Sequence, residues 1–265
     1  MPFADLGDVT LHYREDGERN GAPIIFANAL GTDLTIWDAI IPRLFPGLRI
    51  IRYDKRGHGL SDCPSAPYSM GALVRDAERL LDHLNVRDCV FVGLSIGGMI
   101  AQGLAIKRLD QVRALVLSNT AAKIGQPEMW NNRIKALQKT GLEGVADDVM
   151  KRWFSRAALK SGASDSWRQM LISQPLEGYI GCCTAIGGTD FYTPTCGLRL
   201  PTLGIAGSDD AATPPDLVRE TVDLIPGSEF RLIRRAGHLP CVDQPQKYAR
   251  LLNEFLEKTG HIQKT

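Results

Sequence analysis

Apolar side chains recur along the chain in two rhythms. Val9, Leu11 and Tyr13 alternate with polar neighbours, the period of a strand with one buried face, and the polar stretch 17–23 predicts a turn closing an edge hairpin. Beyond it, short apolar runs at 24–27, 49–53, 89–92, 112–117, 203–206 and 230–233 predict strands buried on both faces. The segments between them change period. Met70, Leu73, Val74, Ala77, Leu80, Leu81 and Leu84 form a stripe at helical spacing on an otherwise charged segment, and Tyr248, Leu251, Leu252, Phe255 and Leu256 form another. Doubly apolar strands alternating with amphipathic helices predict the α/β class, a parallel sheet covered on both sides.

The alternation stops between residues 121 and 196, where Trp130, Trp153, Phe154 and Trp167 sit among helix formers and glycines and no β-branched run appears. So long a segment is not expected to be a structureless loop. It predicts a helical cap over the strand ends, which divides the chain into a core of residues 1–120 and 197–265 and a cap of residues 121–196. There is no internal repeat and no low-complexity segment.

Composition narrows the classes. A chain of 265 residues with 44% hydrophobic and 23% charged side chains is expected to be one large globular domain. It can bury roughly three quarters of its unfolded surface. With 31 basic and 30 acidic residues, the net charge of +1 supplies no field for nucleic acid or an anionic membrane, so neither partner is expected. The N-terminal segment lacks the basic and apolar blocks of a signal peptide, and the apolar runs are too short to span a bilayer, so the expected location is cytoplasmic. The 6 cysteines are scattered without a CxxC pair and are expected to be reduced and mostly buried. No HExxH, phosphate-cradling GxxxxGK[ST] or dinucleotide GxGxxG is present, so no metal or cofactor is expected.

One constellation carries chemistry. The strand at 89–92 runs into Gly93-Leu94-Ser95-Ile96-Gly97-Gly98 and then into a segment with Met99, Ala101 and Leu104 at helical spacing. A serine in so sharp a strand-to-helix turn projects its hydroxyl clear of the sheet, and the following helix aims its amides at the same point. Such a nucleophile needs a base. Of the five histidines, His12 falls in the first strand, His83 on a charged helix and His261 in the C-terminal tail, expected to fray. His238 instead follows a strand by a short loop, at the carboxyl edge where open α/β sheets place their sites. The orienting acid is expected after the preceding strand, where Asp209 and Asp210 are both available. For an oxyanion hole, the amide of Ile96 and, from the loop 28–31, the amide of Leu30 are the expected donors.

These motifs resemble the α/β-hydrolase superfamily: GLSIGG at 93–98, DKRGHGLS at 54–61, GSDDAATP at 207–214 and AGHLP at 236–240. The resemblance implies an α/β-hydrolase fold, a mostly parallel eight-stranded sheet flanked by helices with a helical cap. It implies Ser95, Asp210 and His238 as the triad, with Asp209 in reserve and His58 structural. Within the superfamily the chain is similar to 3-oxoadipate enol-lactonases of aromatic catabolism through NALGTDLTIWD at 28–38, SNTAAKIGQPEMWNNRI at 118–134 and GYIGCCTAIGGTDF at 178–191. Two departures accompany it: Gly187-Gly188 stand where a charged pair is expected, and Asn28 replaces the histidine of the common HGxG loop.

The resemblance implies a serine hydrolase that opens 3-oxoadipate enol-lactone to 3-oxoadipate. An enolate leaves readily, so little acid catalysis is needed, while the substrate carboxylate calls for an arginine fork. Arg133 is the expected partner, with Trp130 one turn before it. The alternatives are another carboxylesterase, a carbon–carbon bond hydrolase, or a slow-turnover ligand receptor on the same fold. The expected partner is a small anionic lactone, and self-association is left open.

Overall fold

The computed structural model describes residues 2–162 and 164–263. Its strands are β1 (Phe3–Asp5), β2 (Thr10–Gly17), β3 (Ala22–Ala27), β4 (Leu48–Tyr53), β5 (Cys89–Leu94), β6 (Val112–Ser118), β7 (Thr202–Gly207) and β8 (Glu229–Ile233). They form one sheet in the order β1-β2-β4-β3-β5-β6-β7-β8, antiparallel through β1, β2 and β4 and parallel from β4 to β8. The helices are α1 (Met70–His83), α2 (Ile96–Lys107), α3 (Pro127–Thr140), α4 (Glu143–Trp153), α5 (Arg156–Lys160), α6 (Asp165–Ile172), α7 (Leu176–Gly187), α8 (Tyr192–Thr195), α9 (Pro215–Asp223), α10 (Pro240–Asp243) and α11 (Pro245–Lys258). Six of them, α3 to α8, lie between β6 and β7 in the chain. Among the described residues, no helix is long and apolar enough to cross a membrane.

The apolar runs become the centre of the sheet because helices cover both faces. Every residue of β5 and β7 is buried. The stripe on α1 is buried at Met70, Leu73, Val74, Ala77, Leu80 and Leu81, and its start is fixed by Ser69, whose hydroxyl accepts the Ala72 amide at 3.1 Å.

The expected opening hairpin differs from the one found. Strand β2 does not pair with β3; β4 slots between them, with Tyr13 opposite Tyr53 and Gly17 opposite Arg49. The stretch after Gly17 carries the chain past the start of β4, where Glu18 and Ala22 donate to the carbonyls of Leu48 and Gly47. The true edge hairpin is β1–β2, and three residues of β1 are too few to show a period. The C-terminal segment also departs from expectation: His261 is docked rather than frayed, its Nε2 3.0 Å from the Pro23 carbonyl.

Strand β3 sits between β4 and β5, so the chain leaves it to one side and later resumes on the other. The crevice at such a reversal, beyond the carboxyl ends of the strands, is where open α/β sheets bind ligands. The loop after β3 and the turn after β5 meet there. Helix α7 approaches the same edge closely: a Cβ on Gly57 would lie 2.4 Å from Gly178 Cα, so the two backbones touch with no side chain between them.

Candidate functional site

Ser95 occupies the turn between β5 and α2 with φ 58° and ψ −120°, a strained conformation for a residue with a side chain. Its own amide donates to Ser118 O at 3.0 Å, while its carbonyl accepts from Thr120 Oγ1 at 2.6 Å and Gly98 N at 2.9 Å. The turn is this tight because its neighbours are glycines. A Cβ on Gly93 would stand 2.2 Å from Gly97 O, and one on Gly97 would stand 2.1 Å from Ala27 O.

His238 follows β8 and faces Asp210, which follows β7; Nδ1 lies 2.9 Å from Asp210 Oδ2. The neighbouring Asp209 is exposed and accepts from the Ser208 hydroxyl, so the structure brings only the second of the two adjacent carboxylates to the imidazole. The same Oδ2 accepts from Asn119 Nδ2 and Thr213 Oγ1, both at 2.7 Å, and Oδ1 accepts the amides of Ala212 and Thr213 at 2.7 and 3.0 Å. Burial works to raise the Asp210 pKa, but the charge and hydrogen bond of His238, with Asn119 and Thr213, hold it below the ordinary value. A carboxylate this well supplied fixes Nδ1 as the protonated nitrogen and leaves Nε2 as an acceptor. Next to it, His238 N donates to Trp153 O and Gly237 N to Asp243 Oδ2, at 2.8 and 2.7 Å, which tie the histidine loop to the ends of α4 and α10.

The loop after β3 is clamped from beneath by the segment after β4. Gly31 N donates to His58 Nε2 at 2.9 Å, and Lys55 Nζ donates to Ala29 O at 2.7 Å. His58 is buried, and that burial, followed by the nearby charge of Lys55, pulls its pKa well below the usual imidazole value. Among the described residues, the amides of Leu30 and Ile96 donate to no protein acceptor. Those are the two donors expected from sequence.

Ser95, His238 and Leu30 line one cavity of about 270 Å³, near the lower end for small-molecule sites. The helices after β6 supply the opposite wall, with Met129, Trp130 and Arg133 from α3, Arg152 and Trp153 from α4, and Tyr179 and Ile186 from α7. Arg133 stacks over the rings of Trp130 and Tyr179, 5.7 and 5.6 Å from their centroids, and donates to the Tyr179 hydroxyl. Its Nε is buried without a partner, and no carboxylate approaches it within 4.0 Å among the described residues. Trp130 is held by a hydrogen bond from Nε1 to Ile124 O at 2.6 Å.

A family model for the alpha/beta hydrolase fold matches residues 22–245. The chain belongs to the α/β-hydrolase family. It is 31% identical to 3-oxoadipate enol-lactonase 2 of Acinetobacter baylyi over 95% of this chain and 94% of that protein. The solved enol-lactonase of Burkholderia xenovorans superposes with a TM-score of 0.93 at 34% identity, covering 96% of this chain and 99% of that one. A thermophilic esterase from Thermogutta terrifontis, solved with malate bound, superposes at 0.88 with 29% identity over 95% and 94% of the two chains.

Several residues of the site in this hydrolase escaped the sequence reading. Asn119 directly follows β6 with φ 45° beside the carboxylate, and the signal for it is the polar run Ser118-Asn119-Thr120 closing an apolar strand. Arg152 lines the cavity half-buried and makes no hydrogen bond or ion pair among the described residues; burial, then the charge of Arg133, lower its pKa. Nothing in the sequence around it marks it, because its role depends on how α4 folds back toward α3. Gly187 packs against Trp130, where a Cβ would come within 3.0 Å of Trp130 Cβ, so a larger side chain at this cap position would crowd the tryptophan. Among the described residues no group of three or more His, Cys, Asp or Glu is arranged to hold a metal ion, and all six thiols are free.

Proposed function

We propose that this hydrolase opens a small anionic enol-lactone, 3-oxoadipate enol-lactone being the substrate that fits the resemblance, and that Ser95, His238 and Asp210 carry the reaction. The observation supporting it most is the shared cavity, with a strained serine and a carboxylate-oriented imidazole on one wall and two arginines lacking carboxylate partners on the other. In this reading Ser95 Oγ attacks the ring carbonyl while His238 Nε2 takes its proton. The oxyanion forms against the amides of Leu30 and Ile96. The ring C–O bond breaks, and the oxygen leaves as an enolate that takes a proton at carbon to become the ketone. Water, deprotonated by His238, then cleaves the acyl-enzyme to give a dicarboxylate.

The helices of residues 121–196 act as the cap in this proposal and provide the anion-binding end. Arg133, braced by Trp130 and Tyr179, offers its guanidinium to the pendant carboxylate, and Arg152 adds a second positive charge. The malate held by the thermophilic esterase relative is also a small carboxylate. A neutral carboxylic ester would leave both arginines without a counter-charge, which disfavours the simple esterase alternative. The test compares Ser95→Ala with the native protein on the lactone. Turnover should fall at least ~1,000-fold with the fold retained. Loss of less than about 100-fold would overturn the covalent reading.

A further inference from the structure

Lys55 is buried with 2% of its surface exposed, and no carboxylate lies within 4.0 Å of its ammonium among the described residues. A buried cation without a counter-ion is costly unless its surroundings use the charge. Its partners are backbone carbonyls: Ala29 O at 2.7 Å and, more distantly, Thr32 O at 3.4 Å. Ala29 O also accepts from Thr32 Oγ1 at 3.0 Å and from Thr32 N at 3.3 Å, three donors on one carbonyl. That carbonyl belongs to the same peptide group as the Leu30 N–H. Pulling electron density toward one end of a peptide makes the other end a stronger donor, and in a low-dielectric site the effect grows. The next peptide is fixed as well, since Gly31 N donates to the neutral imidazole of His58. The loop that presents the Leu30 amide is thus oriented by His58 and polarised by Lys55.

We propose that Lys55 is a positioning residue for ester cleavage: by donating to Ala29 O, its ammonium polarises the Ala29–Leu30 peptide and strengthens the Leu30 N–H toward the developing oxyanion. The inference rests on the hydrolase mechanism proposed above, and it assigns a use to the lysine of the DKRGHG motif that a purely structural role does not require. Burial pulls the Lys55 pKa down to about 8 from the ordinary 10.5, while the carboxylates facing it, Asp54 and Asp33, favour its charge. Cys182 is pushed up to about 12 by burial, and His58 stays neutral, so Lys55 is the member of this cluster that changes charge between about pH 7 and 9.

The test uses p-nitrophenyl acetate, which needs neither arginine, on native protein, Lys55→Met and Lys55→Arg. In Lys55→Met, kcat should fall about 10- to 100-fold with KM within about twofold, and a trifluoromethyl ketone that forms a serine oxyanion adduct should lose affinity in parallel. Lys55→Arg, which keeps the charge, should recover most of kcat. Unchanged kcat in a folded Lys55→Met protein would overturn the proposal while leaving the Ser95 mechanism intact, whereas turnover retained in Ser95→Ala would overturn the mechanism itself. Should Lys55→Met fail to fold, the native protein decides. Its kcat should decline as pH rises through about 8. Over the same interval this lysine's contribution to stability increases, because between about pH 8 and 10.5 the unfolded chain holds the extra proton. An alkaline loss of kcat that tracks the Lys55 titration followed by NMR, without loss of Tm, supports the proposal, and a kcat that stays flat through that titration overturns it.

Discussion

The two walls of the cavity differ in how completely their charged side chains are satisfied. On the sheet side Asp210 receives His238, Asn119, the Thr213 hydroxyl and two amides, and the backbone around Ser95 is fixed by Ser118 and Thr120. On the helix side Arg133 Nε has no partner and Arg152 has no hydrogen bond or ion pair among the described residues. A saturated network holds one geometry, and holding groups still is what preorganised catalysis demands. An unsaturated cationic wall is suited to an incoming anion, whose oxygens replace the water it loses. In the proposed function the first wall serves chemistry and the second recognition, and each can be disturbed without the other.

The largest effect should come from the saturated side. Asp210→Asn places an amide where five donors now converge and removes the charge that orients His238, so kcat should fall about 1,000- to 10,000-fold in steady-state assays. A loss confined to KM would erase the distinction between the walls. On the other side, Arg133→Ala should raise KM for the anionic lactone about 10- to 100-fold while leaving that for p-nitrophenyl acetate within about threefold. Arg152→Ala, with no stacking partner to lose, should cost about 3- to 10-fold in the same comparison. Equal effects on charged and neutral substrates would show that the arginines serve packing instead.

The smallest effect concerns stability. Burial raises Asp243, which accepts the Gly237 amide at 2.7 Å, to about 6 from an ordinary 3.8. Between those values the folded protein binds more protons than the unfolded chain, so this group's contribution to stability falls as pH rises through the window. Asp243→Asn keeps an acceptor and removes the penalty. Thermal unfolding at about pH 7 should shift up by a gain on the order of 1 kcal/mol, and the dependence of Tm between about pH 4 and 6 should flatten.

Legibility from sequence follows the range of the interactions. The strands at 24–27, 89–92 and 112–117 were readable because burial on both faces leaves a continuous apolar run, and α1 because one face alone is apolar. The serine turn was readable because its geometry needs glycines at fixed offsets. The pairing of β2 with β4 was not, since nothing local records which strand fills the gap beside another. Residue spacing alone could not choose between Asp209 and Asp210; the family resemblance favoured Asp210, and the fold turns Asp210 inward while leaving its neighbour exposed. Arg152 and Lys55 were invisible for the same reason. Each matters through a partner far along the chain, on the other cavity wall for Arg152 and in the loop 28–32 for Lys55.

The contact of Gly57 with Gly178 also limits how this molecule can change. With no space for even a methyl group between the two backbones, the segment bearing Lys55 and His58 and the helix bearing Tyr179 and Cys182 are locked in register as one block. Room for a bulkier guest therefore has to be found away from that contact, at Met129, a cavity-lining residue that is 48% exposed.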